Sequence, residues 1–245
     1  MILALLASVA FAQESPDLAG AVAESVSSVA QGGDQEASAG AVRLVMALSM
    51  LAVLPGLLMV MTPFTRFVVV LALLRQALGL QQSPPNQVLV GLALALTVMA
   101  MQPTLNEVQQ RSIEPYLAGE MDTTEAGAAF LKPMRSHMLR NIDRADLATS
   151  LRLARSPKPE GLDDLPTSVV LTAYLLSELR YAFVIGVKVY IPFLVVDIVV
   201  ASVLLGMGMM MLPPVVVSVP FKLCVFVLMD GWGLLVTGLV ASVVT

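Results

Sequence analysis

Phe193 to Trp232 reads FLVVDIVVASVLLGMGMMMLPPVVVSVPFKLCVFVLMDGW, and this stretch decides the fold. It is almost wholly apolar, yet Asp197 and Lys222 lie inside it and Asp230 stands near its end. An unpaired Asp or Lys at the centre of a membrane helix costs about 2.5–3.5 kcal/mol. Such residues therefore face a protein interior or a water-filled path and take a partner. Met207, Met209, Met210 and Met211 fall just before Pro213 and Pro214, where a helix can hardly continue. Flexible, polarizable thioethers at a helix end suit a deformable seal better than a lipid-facing surface. The competing reading is ordinary gap-filling in a buried core. Met207 and Met211 share a helical face while Met209 and Met210 point elsewhere, so packing of one face does not explain all of them.

The rest of the composition agrees with a chain that lives in a membrane. Of 245 residues, 57% are apolar and only 13% charged, and the mean hydropathy is +0.84. This excludes a soluble domain and points to several membrane helices. The net charge of −4 hides a segregation. Arg111, Lys132, Arg135, Arg140, Arg144, Arg152, Arg155 and Lys158 all fall between Pro103 and Pro166, interleaved with acids, and charges are few on either side. Cys224 is the single cysteine, which rules out an intrachain disulfide. His137 is the single histidine, and without a Cys/His cluster no metal site is expected.

Catalytic chemistry is equally thinly supplied. His137 has no Glu beside it, so H-E-x-x-H is absent, and Asp197 and Asp230 lack a protease context. No Gly-x-x-x-x-Gly-Lys loop is present to hold a nucleotide. The expectation is a protein that is not an enzyme, with no cofactor and no nucleic-acid partner. A small-solute secondary transporter is the other alternative, because intramembrane charge with broken helices is also its signature, but no internal repeat is visible.

Residues 1–12 end in Ala10-Phe11-Ala12 and read as a signal peptide, which would place the mature N-terminus outside the cytoplasm, in the periplasm. Residues 13–42 are small, polar and acidic, the composition of a disordered leader. Residues 43–102 form the N-terminal hydrophobic helices, with a break expected at Pro55-Gly56. Within them Thr62 is placed to cap a helix from Pro63 through Leu78, and Asn86 to Met101 forms the next. Residues 103–166 are expected to be a charged, extracytoplasmic helical insertion. In it Leu139, Ile142, Ala145, Leu147 and Leu151 recur at helical spacing, and Ser156 to Gly161 is a loop. Residues 167–245 supply the C-terminal hydrophobic helices: Thr167–Val187, Val189–Leu212 and Val215–Thr245.

This pattern predicts four crossings, with Arg66 and Arg75 marking a cytoplasmic connection. Nearly every segment is short, broken by Pro or Gly, or charged, and so is a poor solitary spanner. Broken backbone at membrane depth is tolerated where protein covers it. Sister subunits are therefore expected to shelter these helices. Glu178, Asp197 and Lys222 are too far apart to pair along one helix. Contacts between subunits are the expectation for these intramembrane charges, ahead of a proton relay or a structural pair, with Arg180 and Lys188 as further candidate partners.

Three blocks carry a family resemblance: PFTRFVVVLALLRQALG (Pro63–Gly79), IPFLVVDIVVASVLLGMGMMMLPP (Ile191–Pro214) and VPFKLCVFVLMDGW (Val219–Trp232). Over residues 43–245 the chain resembles the FliP family, the core subunits of the flagellar type III export gate and of virulence type III secretion systems. The resemblance implies an all-α membrane protein of helical hairpins, assembled as a homopentameric pore in the bacterial inner membrane within the flagellar basal body. It implies FliQ and FliR as partners, with FlhB, FlhA and the assembly factor FliO beside them, and membrane lipid around the complex. It also implies unfolded flagellar proteins as substrates. A methionine-rich loop narrows such pores, and the matching residues here are Met207, Met209, Met210 and Met211, next to the helix breaks at Pro213 and Pro214.

Overall fold

Phe64–Ala77 (α1) is a core helix, with Phe67, Val70 and Leu71 fully buried. The computed structural model describes residues 56–80, 83–155, 161–162, 164–209 and 211–244. The expected signal peptide, the polar leader, most of the first hydrophobic segment and Met210 lie outside the described residues. Val60 onward forms one compact unit, and the account below concerns that unit. All its described regular structure is helical.

α1 starts with Pro63, one residue after the expected Thr62, in the capping position. Its end is set by Gly79 at φ +77. Gly79 N donates to Gln76 O (3.0 Å) and Leu80 N to Arg75 O (3.2 Å). This is the paired closure that a left-handed glycine allows and that a side chain would strain. Arg75 donates to Pro84 O (3.1 Å) and to Asn86 Oδ1 (2.7 Å), which ties the end of α1 to the start of the next helix.

Asn86–Val108 (α2) runs through Pro103, where the sequence suggested the insertion would begin. It continues into a π turn, Gln109–Ile113, and a short α3, Glu114–Leu117. Pro115 has no N–H to close an ordinary α turn, which accounts for the widening just before it. Thr123–Asn141 (α4) opens on a capping box, with Asp122 and Glu125 each satisfying the other's backbone donor. The helical periodicity through residues 139–151 does not form one helix. Asp143 interrupts it, accepting from Ala145 N (2.8 Å) as the cap of Arg144–Leu153 (α5).

Thr167–Gly206 (α6) is a single helix of 40 residues, about 60 Å at 1.5 Å per residue. The expected break at Lys188 does not occur, and Pro192 is carried inside the helix. Pro214–Leu228 (α7) returns antiparallel to it, and Gly231–Val244 (α8) follows after a bend of 66°. The Asn86–Leu117 run and α6 are long and apolar enough to cross a membrane, and α7 with α8 would make a third, broken span.

Two apolar clusters hold the unit together. One joins α1 to α2, α6, α7 and α8 through Phe67, Leu71, Leu89, Ala182, Phe226 and Leu239. At its centre α1 approaches α6 over Ala182 and Gly186, where a Cβ on Gly186 would overlap the Leu73 side chain. Small residues four apart are the usual device for such an approach in apolar surroundings. The other cluster packs α4 on α2 and α6, and Met61, Met101, Met134 and Met138 fill its gaps.

Candidate functional site

α6 does not stop at Pro213 as the proline pair suggested. It stops at Gly206, because Gly208 takes φ +75. Gly208 N donates to Leu205 O (3.0 Å) and Met209 N to Leu204 O (2.9 Å), the same glycine closure seen after α1. Pro213 then caps α7, with Pro214 at its first turn, where the missing N–H costs nothing. The described residues between the two helices form a loop with their side chains turned out. Met207 is 64% exposed, Met209 44% and Met211 98%, and Leu212 is exposed beside them. The methionines that fill core gaps are Met61, Met101, Met134 and Met138, and among the described residues Met207, Met209 and Met211 belong to neither core cluster.

Behind the loop, α6 and α7 are pinned together. Lys222 Nζ donates to Asp197 Oδ2 (2.7 Å) and to Ala77 O (2.9 Å). Ser218 Oγ donates to Asp197 Oδ1. Ala77 lies in the last turn of α1, whose carbonyls lack helical partners, so the ammonium both neutralises Asp197 and caps α1. Asp197 lies ten residues, about 15 Å, before Met207 along α6.

A second pair lashes α1 to α6 at the other end of α1. Arg66 and Glu178 are 1% and 0% exposed. The guanidinium meets the carboxylate with two bonds, Nε to Oε2 at 2.9 Å and Nη2 to Oε1 at 2.6 Å. Nη1 donates to Ser242 O (2.7 Å) and Ser242 Oγ (3.0 Å) on α8, and the group lies 4.8 Å from the centre of the Tyr181 ring. The planar fork of arginine suits such a bidentate, stacked site. Arg66 is thus not a marker of a cytoplasmic face. The contacts between copies expected for Glu178, Asp197 and Lys222 are not needed to neutralise them, since each finds its partner within the chain.

The charged segment is clasped to α6 as well. Ser177 Oγ donates to Asp146 Oδ2 (3.0 Å) and accepts from Asp143 N (2.9 Å), and Arg180 pairs with Asp146 Oδ1. Nearby on α4, His137 is 4% exposed, edge-on to Tyr174 at 6.1 Å. Its Nε2 makes no hydrogen bond among the described residues. Burial, and then the nearby charges of Arg140 and Arg66, lower its pKa from 6.5 to about 4. An unfolded His137 protonates below about pH 6.5, whereas the folded one stays neutral until about pH 4. Its contribution to stability is therefore complete above pH 6.5 and is lost as pH falls toward 4, by up to about 3 kcal/mol. In melting curves of the detergent-solubilised protein between pH 7 and 5, His137→Leu should flatten this part of the slope. An identical slope in the two proteins would refute it.

Among the described residues no group of three or more His, Cys, Asp or Glu side chains could hold a metal. The site therefore consists of an exposed thioether loop on a hairpin locked by ion pairs. Its chemistry is that of a compliant apolar surface on a stiff mount.

A family model described as the FliP family matches residues 47–239. Flagellar biosynthetic protein FliP of Bacillus subtilis is 44% identical over 209 residues, covering 85% of this chain and 95% of that protein. The protein of the same name from Caulobacter vibrioides is 46% identical over 224 residues, 91% of this chain and 84% of its own. That of Pectobacterium carotovorum is 47% identical over 201 residues, 82% and 78% respectively.

Proposed function

The chain belongs to the FliP family, and from that membership we propose that it is a pore-forming core subunit of the flagellar type III protein export gate. In this reading copies of the chain form a homopentamer in the inner membrane, completed by FliQ and FliR and served by FlhB, FlhA and FliO. Unfolded flagellar proteins thread through its centre. The relatives that match it are named for flagellar biosynthesis, which favours this use over a virulence system or a solute transporter.

One observation carries the pore role: the exposed loop of Met207, Met209 and Met211, with Met210 between them. Apolar side chains turned away from the core need a cover, and several such loops meeting at an axis would cover one another. Thioethers adapt to irregular shapes, so the same ring could close on itself or around a passing chain. Replacing Met209, Met210 and Met211 together with alanine should leave assembly intact, because the described members of this set bury no core contact, and should make the closed pore leak ions. Ion flux through liposomes holding the purified assembly reads this directly. Unchanged flux with normal oligomer yield would count against the seal.

A further inference from the structure

From Thr167 to Val244 the chain carries six ionisable charges: Glu178, Arg180, Lys188, Asp197, Lys222 and Asp230. Four are settled within the chain, by Arg66, by Asp146 and by the mutual pairing of Asp197 with Lys222. Lys188 and Asp230 remain, one cation and one anion. Both are exposed, and neither makes an ion pair or a side-chain hydrogen bond among the described residues.

Their surroundings make this costly. Lys188 sits on an outward apolar face of α6 between Val184, Val187 and Ile191, all exposed. A charge at such a position on a membrane-crossing helix requires a partner. Asp230 stands at the corner between α7 and α8 with φ +49, a left-handed position after a helix that glycine fills most easily. The corner turns the carboxylate over the first turn of α8, beside Gly233, where no cation meets it among the described residues.

The register of α7 on α6 sets their relative height. Lys222 meets Asp197, and four residues on, Phe226 meets Phe193 with ring centres 6.2 Å apart. Continuing this antiparallel register places Asp230 opposite about residue 189, level with Lys188, yet the two do not bond within the chain. Rotation about an axis parallel to these helices keeps every residue at its own height. In a closed ring a residue of one copy therefore meets residues of equal height in the next.

We infer that Lys188 of one copy forms an ion pair with Asp230 of the neighbouring copy in a ring of this chain. The inference rests on the ring assembly proposed above and adds which residues join neighbours and in what order. Pairing satisfies both orphan charges at once, and because the partners differ, the contact is head-to-tail, the type that closes into rings.

The test uses two tagged forms of the full chain, both carrying Cys224→Ala, one with Lys188→Cys and the other with Asp230→Cys, co-expressed in cells. Mild oxidation should give a covalent dimer bearing both tags, absent when either form is expressed with the Cys224→Ala parent. Lys188→Asp or Asp230→Lys alone should lower ring yield in native mass spectrometry about tenfold, the lower end for close interfacial charge pairs. The joint swap should restore it. Asp230→Asn keeps a side chain of the same shape at the corner and should still lower the yield. A parent ring without the cross-link, or without rescue by the swap, would overturn the pair and leave the ring standing. Normal ring yield for Lys188→Ala, with loss of co-purifying anionic phospholipid, would assign Lys188 to a lipid phosphate instead. A parent chain that forms no ring would remove both the pair and the assembly it rests on.

Discussion

Glu178→Ala is expected to destabilise the unit by about 3–5 kcal/mol, because it leaves the Arg66 guanidinium charged, unpaired and sealed from water. A guanidinium keeps its charge in proteins, so neutralisation offers no escape from this cost. Arg66 cannot turn to solvent either, because α1 is enclosed by α2, α6, α7 and α8. A domain of this size has only about 5–15 kcal/mol of net stability, so the loss removes a large share of it. The expected result is low membrane yield and a sharply lower melting temperature in detergent. The informative control is Arg66→Met with Glu178→Leu. Removing both charges leaves an apolar contact of similar bulk, and such replacements are often neutral or stabilising. If the double variant is as unstable as the single one, the damage is lost packing and not an orphaned charge. If the single variant melts normally, the pair has no structural part at all.

This residue also shows what could be read from the sequence and what could not. Composition and run length point to an all-helical membrane chain, and every described element is a helix. Helix ends were harder. The proline pair at 213–214 drew the eye, but Gly208 stops α6, because a left-handed glycine satisfies two terminal carbonyls. Pro103 misled in the other direction: α2 runs on through it, as α6 runs through Pro192, and both prolines stand on exposed faces of their helices. The demand that buried charges be paired could be read from single residues. The partners could not, since 112 positions separate Arg66 from Glu178 and 25 separate Lys222 from Asp197. One signal was available: an arginine inside PFTRFVVVLALL is as anomalous as Lys222 in its own run, and the same rule that calls for a partner applies to both. The methionine loop lay between. Its position was legible, and its outward turn follows only from the glycine stop that ends α6 early.

Lys222→Ala has a different expected outcome, since it acts on the mount of the loop more than on the core. Asp197 would keep its bond from Ser218 but lose the ammonium, and the last turn of α1 would lose the donor at Ala77 O. Removing one partner of a buried pair costs about 3–5 kcal/mol when the other is fully enclosed. Asp197 is 21% exposed, and solvent screening reduces the figure to about half of that. The loss falls on the contact that fixes α7 against α6, about 15 Å behind the methionines. Assembly and sealing should therefore fail before folding does. The chain should still insert and melt within a few degrees of the parent, while oligomer yield drops and any ring that forms leaks ions. Lys222→Arg should recover part of the yield, because it restores a charge of longer reach, and Lys222→Met should not, despite similar bulk. Equal behaviour of the arginine and methionine variants would show that side-chain volume, not the charge on Asp197, sets the geometry of the hairpin.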